Sequence, residues 1–242
     1  MLDVLFTNDK EHNFAIFMDL MEVVMTKNID LTYDFEKHWN NTYLKTPINS
    51  LGWYEDIAKP SLELINECNL PDEAVIFNAG VGASTLIESL LTEGYTNIIV
   101  NDISSSALIE LKNSLTKHNH SNVTFMVDDL TNPSALLKLK NVDLWHDRAV
   151  LHFFTEEIQQ KAYFDFLKKI VKLEGFVILA EFNLDGAKKC SGLNVINYNE
   201  SMLQEKLGNE FKLLKSFNYT YTQPSGNTRE FVYTLFQRIN KI

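Results

Sequence analysis

The chain has 242 residues, 45% of them hydrophobic, and a formal net charge of −10 at pH 7, which predicts one domain with a substantial core and argues against a nucleic-acid partner. Its two cysteines, Cys68 and Cys190, lie far apart with no other ligands at metal-binding spacing, so we expect neither a disulfide framework nor a metal site, and a cytoplasmic location. No apolar run approaches the ~18 residues that a membrane span requires, so no membrane partner is expected.

The first apolar run, at residues 14–25, is interrupted by Asp19 and Glu22. These charges also argue against the run as the core of a signal peptide. We predict that residues 1–30 form an N-terminal extension of uncertain role and that residues 31–242 form the functional domain.

Residues 32–57 contain several large aromatic side chains but little periodicity, which predicts helix and loop packed over the edge of a sheet. From about residue 58 onward, short β-rich runs alternate with helical patterns. This alternation is typical of an α/β protein with a parallel sheet covered by helices on both faces. The predicted strands are 74–78, 97–101, 123–127, 142–146 and 175–181.

Two amphipathic helices are predicted between these strands, at 104–115 and 155–173, with Ser104 and Thr155 as N-caps. Their expected buried residues are Ala107, Leu108, Leu111 and Leu115 in the first helix and Ile158, Ala162, Phe166 and Ile170 in the second. A further helix is expected at about 197–208.

The last part of the chain has a different pattern. The runs FKLLKSFNYTYT (211–222) and REFVYTLFQR (229–238) are separated by QPSGN, which has the composition of a turn. This arrangement predicts a terminal β-hairpin.

The stretch AVIFNAGVGASTLIESLL, residues 74–91, holds two glycines at the turn between a predicted strand and a helix. Gly80 and Gly82 allow the backbone to approach a ligand, and the following helix offers free N–H groups. Twenty residues past Gly82, Asp102 ends the next predicted strand, where a carboxylate can accept both hydroxyls of a ribose. Together these features predict a nucleoside-containing ligand.

The dinucleotide-binding pattern requires a third glycine where this chain has Thr85, which disfavours an NAD-dependent oxidoreductase. After the third predicted strand, Asp129 lies where its carboxylate can accept a hydrogen bond from an adenine amino group. One adenosine accounts for both Asp102 and Asp129, so a second nucleotide is not needed. A nucleoside-binding module without turnover remains an alternative.

The segments IFNAGVGAS, VNDIS, VDDLT, VDLWHDRAVLHFF and LEGFVILAEF together resemble the class I S-adenosylmethionine-dependent methyltransferases. More narrowly, HWNNTYLK, GWYE, WHDRAVLHFF, KKCSGL and the closing hairpin resemble a bacterial small-molecule-type group named after trans-aconitate and thiopurine methyltransferases. The resemblance covers roughly residues 36–238. It implies S-adenosylmethionine as the cofactor and a Rossmann-like sheet of seven strands in the order 3-2-1-4-5-7-6, with the last strand antiparallel.

The resemblance also implies a set of cofactor-binding residues, with the glycine turn against the methionine and ribose and Asp129 against the adenine. These residues are Asn78, Gly80, Gly82, Asp102, Ile103, Asp129, Leu130 and Asp147. Asn78 departs from the family pattern, because an acidic residue usually stands there and asparagine brings no charge.

Methyl transfer mainly requires alignment of donor and acceptor, and a base matters when the acceptor must lose a proton. The candidates at the end of the fourth strand are Asp147, Arg148 and His152. Arg148 and Asp147 either form an ion pair that fastens a loop, or hold an anionic substrate and orient the amino group of the cofactor. His152 is either a hydrogen-bonded core residue or a base. We expect a small-molecule acceptor, with a protein acceptor as the rival.

Overall fold

The computed structural model describes residues 34–116 and 120–240, with the backbone alone at residue 120. The predicted extension at 1–30 lies outside the described residues, so the boundary at residue 31 stays a prediction. No helix in the described part of the chain is long and apolar enough to cross a bilayer.

Helices and strands alternate through the described chain. The helices are α1 (Phe35–Lys45), α2 (Lys59–Glu67), α3 (Leu86–Glu93), α4 (Ser105–Ser114), α5 (Glu157–Ile170) and α6 (Glu200–Leu207). The strands are β1 (Val75–Ala79), β2 (Asn97–Asp102), β3 (Val123–Val127), β4 (Val142–Arg148), β5 (Val171–Phe182), β6 (Lys189–Cys190), β7 (Leu193–Asn194), β8 (Phe211–Thr222) and β9 (Thr228–Arg238).

Seven strands form one sheet in the order β3-β2-β1-β4-β5-β9-β8. Strands β1 to β5 pair in parallel, whereas β9 is antiparallel to both β5 and β8. With β8 and β9 as the sixth and seventh strands, this is the predicted order, and the terminal hairpin is confirmed. Because the strand order reverses on either side of β1, a crevice is expected beyond the carboxyl ends of β1 and β4.

Helix α4 begins as predicted. The Ser104 side chain accepts a hydrogen bond from the backbone N–H of Ala107 and caps the first turn. The expected face of Ala107, Leu108, Leu111 and Leu115 is buried. This helix packs over β2 and β3 and so fixes the chain that follows Asp102.

Helix α5 differs from the prediction at both ends. It ends at Ile170, and Val171 already belongs to β5, because the apolar residues at this junction fit a helix and a strand equally well. The first turn is capped at Glu156, whose N–H donates to the Gln159 side chain, rather than at Thr155.

The predicted buried face of α5 was wrong at its first residue, since Ile158 is 77% exposed. Each step of four residues drifts by about 40° around a helix. Two such steps back from the buried Phe166 therefore carry Ile158 out of the buried stripe, which is centred on Tyr163 and Leu167.

The core between α5 and the sheet is aromatic. Trp145 on β4 packs against Phe77 on β1 at a centroid distance of 4.7 Å, and its indole N–H donates to the Tyr163 hydroxyl at 3.0 Å. This packing fixes β1 and β4 side by side, and their carboxyl ends carry the glycine turn and the Asp147–Arg148 pair.

Candidate active site

The glycine turn follows directly from the end of β1. Gly80 and Gly82 have φ angles of +50° and +57°, which disfavour any residue with a side chain. A Cβ atom on Gly82 would lie 2.3 Å from the Tyr43 hydroxyl oxygen, and one on Gly80 would lie 2.3 Å from a Val150 methyl carbon. Both glycines are therefore required by conformation and by close approach, and the turn presents bare backbone ahead of α3.

Asp102 ends β2 beside this turn. Its Oδ2 accepts the Gly82 N–H at 2.8 Å, and its Oδ1 accepts the Ser104 N–H at 2.8 Å. Burial raises the pKa of Asp102 to about 6, although these N–H donors act in the opposite direction. A carboxylate has about four lone-pair positions, so this one retains the capacity to accept two hydroxyl groups, as a ribose diol requires.

This pKa predicts a pH dependence of cofactor affinity. The ionised carboxylate accepts two hydroxyls, whereas the protonated form loses one acceptor position. We expect the affinity for S-adenosylhomocysteine to be constant above about pH 7 and roughly tenfold lower at pH 5, measured by isothermal titration calorimetry.

The lower affinity expected at pH 5 is not caused by unfolding, because protonation of Asp102 does not destabilise the folded protein. Because folding raises the pKa of Asp102, the stability from this group is fully present below its unfolded pKa and is lost as the pH rises through about 6. Protonation of this group alone therefore does not destabilise the free protein at pH 5. Equal affinities at pH 5 and pH 7 would contradict the assignment of Asp102 to the site.

Asn78 is the residue that departs from the family pattern. It is buried in β1, two residues before Gly80, and neither its Oδ1 nor its Nδ2 has a hydrogen-bond partner among the described residues. An amide is both a donor and an acceptor. Asn78 therefore suits a ligand group that carries opposite charges or both hydrogen-bonding types, such as the amino-acid end of the cofactor.

The residues predicted for the adenine side lie next to Asp102. The Asp128 N–H donates to the Asp102 carbonyl at 3.2 Å, which brings the ends of β2 and β3 together. Leu130 is buried and Ile103 is half-buried. Asp129 already accepts two hydrogen bonds through Oδ1, from the N–H and the hydroxyl of Thr131.

Aromatic residues of α1 and the following loop cover the glycine turn. The Trp53 indole N–H donates to the Tyr43 hydroxyl at 3.2 Å, directly above the position where Gly82 lacks a side chain. Trp39 packs edge-to-face on Trp53 at 5.5 Å and on Phe153 at 5.1 Å. We call the set Trp39, Tyr43 and Trp53 the aromatic cover, since it shields the turn from solvent.

Arg148 at the end of β4 is held on several sides. Its Nε lies 3.1 Å from Glu55 Oε2 and 3.1 Å from the Tyr233 hydroxyl, and its Nη1 donates to the Trp53 carbonyl at 3.2 Å. Burial raises the pKa of Glu55 in spite of the Arg148 charge, while burial of Arg148 is outweighed by Tyr233 and Glu55, so that its pKa is also raised. A raised pKa favours the neutral form of Glu55 but the charged form of Arg148.

The terminal hairpin fastens the same loop. The Tyr221 hydroxyl donates to the Tyr54 carbonyl, and Gln223 Nε2 donates to the Gly52 carbonyl at 2.7 Å. The Arg148 guanidinium also lies 5.0 Å from the centre of the Tyr221 ring. The residues at 221–223 therefore hold the loop that carries Trp53.

Asp147 is fully buried and organises the turn after β4. It accepts hydrogen bonds from the N–H groups of Val150 and Leu151 at 3.0 and 3.2 Å and from the Tyr163 hydroxyl at 2.6 Å. Burial raises its pKa well above the usual range, and the neighbouring Glu181 adds to the rise. Its position opposite Ala79 in the sheet register sets the turn close to Gly80.

His152 lies on the turn after β4 and is fully buried. Its Nδ1 is 3.0 Å from Glu181 Oε2, and that oxygen also accepts the His152 backbone N–H at 3.2 Å. The imidazole packs on Phe153 and Phe182 at 4.5 and 4.6 Å. Burial raises the pKa of Glu181 well above its usual range.

Sequence reasoning identified neither Glu181 nor Glu55. Glu181 had one available signal, because it is an acidic residue near the carboxyl end of a predicted strand, as Asp102 and Asp147 are. Glu55 lies in a loop far along the chain from Arg148, and nothing in the sequence pairs the two.

No protein-family model matches the chain. Over 161 residues it is 25% identical to EEF1A lysine methyltransferase 2 of Danio rerio, covering 61% of this chain and 68% of that protein. Among solved structures, a SAM-dependent methyltransferase from Anabaena variabilis superposes with a TM-score of 0.65 at 16% identity, over 84% of this chain and 93% of the other. The 1,6-didemethyltoxoflavin-N1-methyltransferase of Burkholderia thailandensis, solved with S-adenosylhomocysteine, has a TM-score of 0.60 at 14% identity, over 98% and 94%.

The sheet order and these similarities define the fold: the chain has the Rossmann-like fold of the S-adenosylmethionine-dependent methyltransferases with which it superposes. The Burkholderia thailandensis enzyme binds S-adenosylhomocysteine, which agrees with the cofactor that the sequence predicts.

Proposed function

We propose that the protein transfers a methyl group from S-adenosylmethionine to a small-molecule acceptor in the cytoplasm. The observation that carries the proposal is the joining of Asp102 to the glycine turn, because the hydrogen bond from Gly82 places a ribose-binding carboxylate beside bare backbone. The resemblance to the bacterial trans-aconitate and thiopurine group supports a small acceptor. The two unpaired cysteines fit a reducing compartment.

The described residues fit the cofactor. In the proposal the ribose lies at Asp102, the adenine at Ile103, Asp129 and Leu130, and the amino-acid end at Asn78 and the glycine turn, Gly80 and Gly82. Bound S-adenosylmethionine supplies an electrophilic methyl group on a sulfonium centre. The aromatic cover excludes water from that centre, which strengthens every electrostatic contact inside the site.

The contacts of Asp147 and Arg148 favour positioning roles. Both oxygens of Asp147 accept hydrogen bonds from the chain, and Arg148 is engaged by Glu55, Tyr233 and Trp53. In the proposal Asp147 shapes the turn beside Gly80, and Arg148 holds the loop that carries Trp53. Asp147 then does not have to contact the acceptor, whereas Arg148 keeps one buried nitrogen, Nη2, that has no hydrogen-bond partner among the described residues.

A protein acceptor is the second candidate, because the relative from Danio rerio is an EEF1A lysine methyltransferase. Incubation of a cell lysate with the protein and isotopically labelled S-adenosylmethionine separates the two candidates. We expect the label in a metabolite fraction. Label confined to protein would favour the second candidate.

Ligand-induced stabilisation tests cofactor identity. S-adenosylmethionine and S-adenosylhomocysteine are each expected to stabilise the protein by about 2.7 kcal/mol at 100 times their dissociation constants, which raises Tm by roughly 5 to 10 °C. NAD is expected to leave Tm unchanged, because the site provides for one adenosine. Stabilisation by NAD and none by S-adenosylhomocysteine in differential scanning fluorimetry would contradict the proposed function.

A further inference from the structure

Three polar atoms at the carboxyl end of β5 are buried and unpaired. They are Glu181 Oε1, His152 Nε2 and the Tyr198 hydroxyl oxygen, and none has a hydrogen-bond partner among the described residues. His152 Nδ1 lies 3.0 Å from Glu181 Oε2, but the two do not have the geometry of a hydrogen bond. Glu181 and His152 are fully buried, and Tyr198 is 1% exposed. Buried polar groups are nearly always hydrogen-bonded in native proteins, so three together indicate a polar ligand.

The backbone places the three residues side by side. The Ile196 N–H donates to the His152 carbonyl at 2.9 Å, and the Tyr198 N–H donates to the Phe182 carbonyl at 2.9 Å. The segment 196–198 therefore runs from the His152 turn to the end of β5. The charges of Glu181 and Asp147 add to the effect of burial in raising the pKa of Tyr198, which is consistent with their proximity.

The hydrogen-bonding character of these atoms selects the chemistry of the ligand. Glu181 Oε1 only accepts when ionised, and His152 Nε2 accepts when its proton is on Nδ1, where Glu181 Oε2 lies 3.0 Å away. A phenol oxygen accepts as well as donates. Burial raises the pKa of the Glu181 carboxyl in the free protein, and a bound cation favours its ionised form. A group with two or three N–H donors and a positive charge then satisfies all three atoms.

We propose that Glu181, His152 and Tyr198 bind the acceptor nitrogen and that the acceptor is an amine. This inference rests on the proposed methyl transfer and specifies its substrate class. The bound ammonium gives one proton to His152 Nε2, its N–H electron pair stays on nitrogen as the lone pair, and the resulting imidazolium is held by the Glu181 carboxylate. Glu181 is thus both a ligand of the amine and a positioning residue for His152.

An amine reaches these buried atoms through the chain that follows β5. Most of the residues from Leu184 to Asn194 are exposed or half-buried. They include the two-stranded β6–β7 hairpin, whose Ser191 hydroxyl lies 3.3 Å from His38 Nε2 on α1. Displacement of this short hairpin opens a path without disturbing the main sheet.

The test uses the full chain labelled with ¹⁵N-histidine, with n-butylammonium chloride as the probe. We expect a saturable shift of the His152 Nε2 resonance with n-butylammonium and none with n-butanol. Glu181→Gln keeps the size of the side chain but removes the charge, and it is expected to weaken n-butylammonium binding at least tenfold. Glu174→Gln, on the exposed part of the same strand, is the matched control and should leave binding unchanged.

A second variant covers the case in which Glu181→Gln does not fold. Tyr198→Phe removes only the unpaired hydroxyl and should weaken n-butylammonium binding by threefold to tenfold. The inference is overturned if n-butylammonium and n-butanol shift His152 alike, or if the folded variants bind the amine as the parent does.

The two proposals fail in different ways. Absence of stabilisation by S-adenosylhomocysteine rejects the methyltransferase proposal, whatever the result with n-butylammonium. Normal stabilisation by S-adenosylhomocysteine, with no effect of n-butylammonium on His152, rejects the amine site alone. In the labelled lysate the expected product carries the methyl group on nitrogen, and a methylated oxygen or sulfur would overturn the amine inference.

Discussion

Replacing Asp102 by alanine is expected to weaken S-adenosylhomocysteine binding by at least about 100-fold, measured by isothermal titration calorimetry. The variant loses two ribose hydrogen bonds to a charged acceptor, each worth about 1.5 kcal/mol or more. It also frees the Gly82 N–H, so the glycine turn keeps only the hydrogen bond from the Val81 N–H to the Asn101 carbonyl as its attachment to β2. The binding loss combines a missing ligand contact with a less ordered turn.

Two further variants separate these contributions. Asp102→Asn keeps the shape but presents an N–H group to Gly82 or Ser104, and we expect it to bind almost as weakly as the alanine variant. Asp165→Ala removes an exposed aspartate that pairs with Lys161 on α5, and affinity should be unchanged. Normal affinity in both Asp102 variants would remove this residue from the cofactor site.

Replacing Arg148 by alanine is expected to lower the free energy of unfolding by about 3 kcal/mol or more, measured by urea denaturation. Arg148 and Glu55 each have side chains only 10% exposed. Loss of the guanidinium leaves the Glu55 carboxylate buried without its cation and breaks the contacts to Tyr233 and Trp53. The loop that carries the aromatic cover should loosen as a result.

The double variant Arg148→Ala/Glu55→Ala checks this cause. Removal of the stranded carboxylate should restore part of the lost stability, which a double-mutant cycle measures as coupling. Arg229→Ala, at a part-exposed position on β9, is the control and should change stability by less than about 0.5 kcal/mol. If Arg148→Ala has normal stability but loses turnover, Arg148 acts on the substrate, as one of the two sequence interpretations held.

The sheet was predictable because local patterns determine it. Five β-rich runs separated by helices require a parallel sheet, and QPSGN between two strand-like runs requires a hairpin. The junction at Ile170 and Val171 was not predictable, since it has no glycine or proline and tertiary pairing of Val171 with Val142 decides it. The prediction that Ile158 is buried was wrong because steps of four residues drift away from the buried face of a helix.

The residues around the glycine turn could be predicted from the sequence to a greater extent than the partners of Arg148 and His152. The spacing of Gly80, Gly82 and Asp102 predicts their positions, because the geometry of a strand, a turn and a helix is set by residues close together in the chain. The partners of Arg148 and His152 are not local, since Glu55 precedes Arg148 by 93 residues and Glu181 follows His152 by 29. The distance in space between residues so far apart in the chain cannot be predicted from a single sequence.

The fastening of the loop by the terminal hairpin has a consequence for synthesis on the ribosome. Tyr221 follows its partner Tyr54 by 167 residues, and Gln223 follows Gly52 by 171. At roughly 5 to 20 residues per second, the loop emerges on the order of 10 to 30 s before the strand that anchors it. The nascent chain can therefore form the glycine turn between β1 and α3 early, but the aromatic cover over that turn is anchored only after the hairpin has joined the sheet.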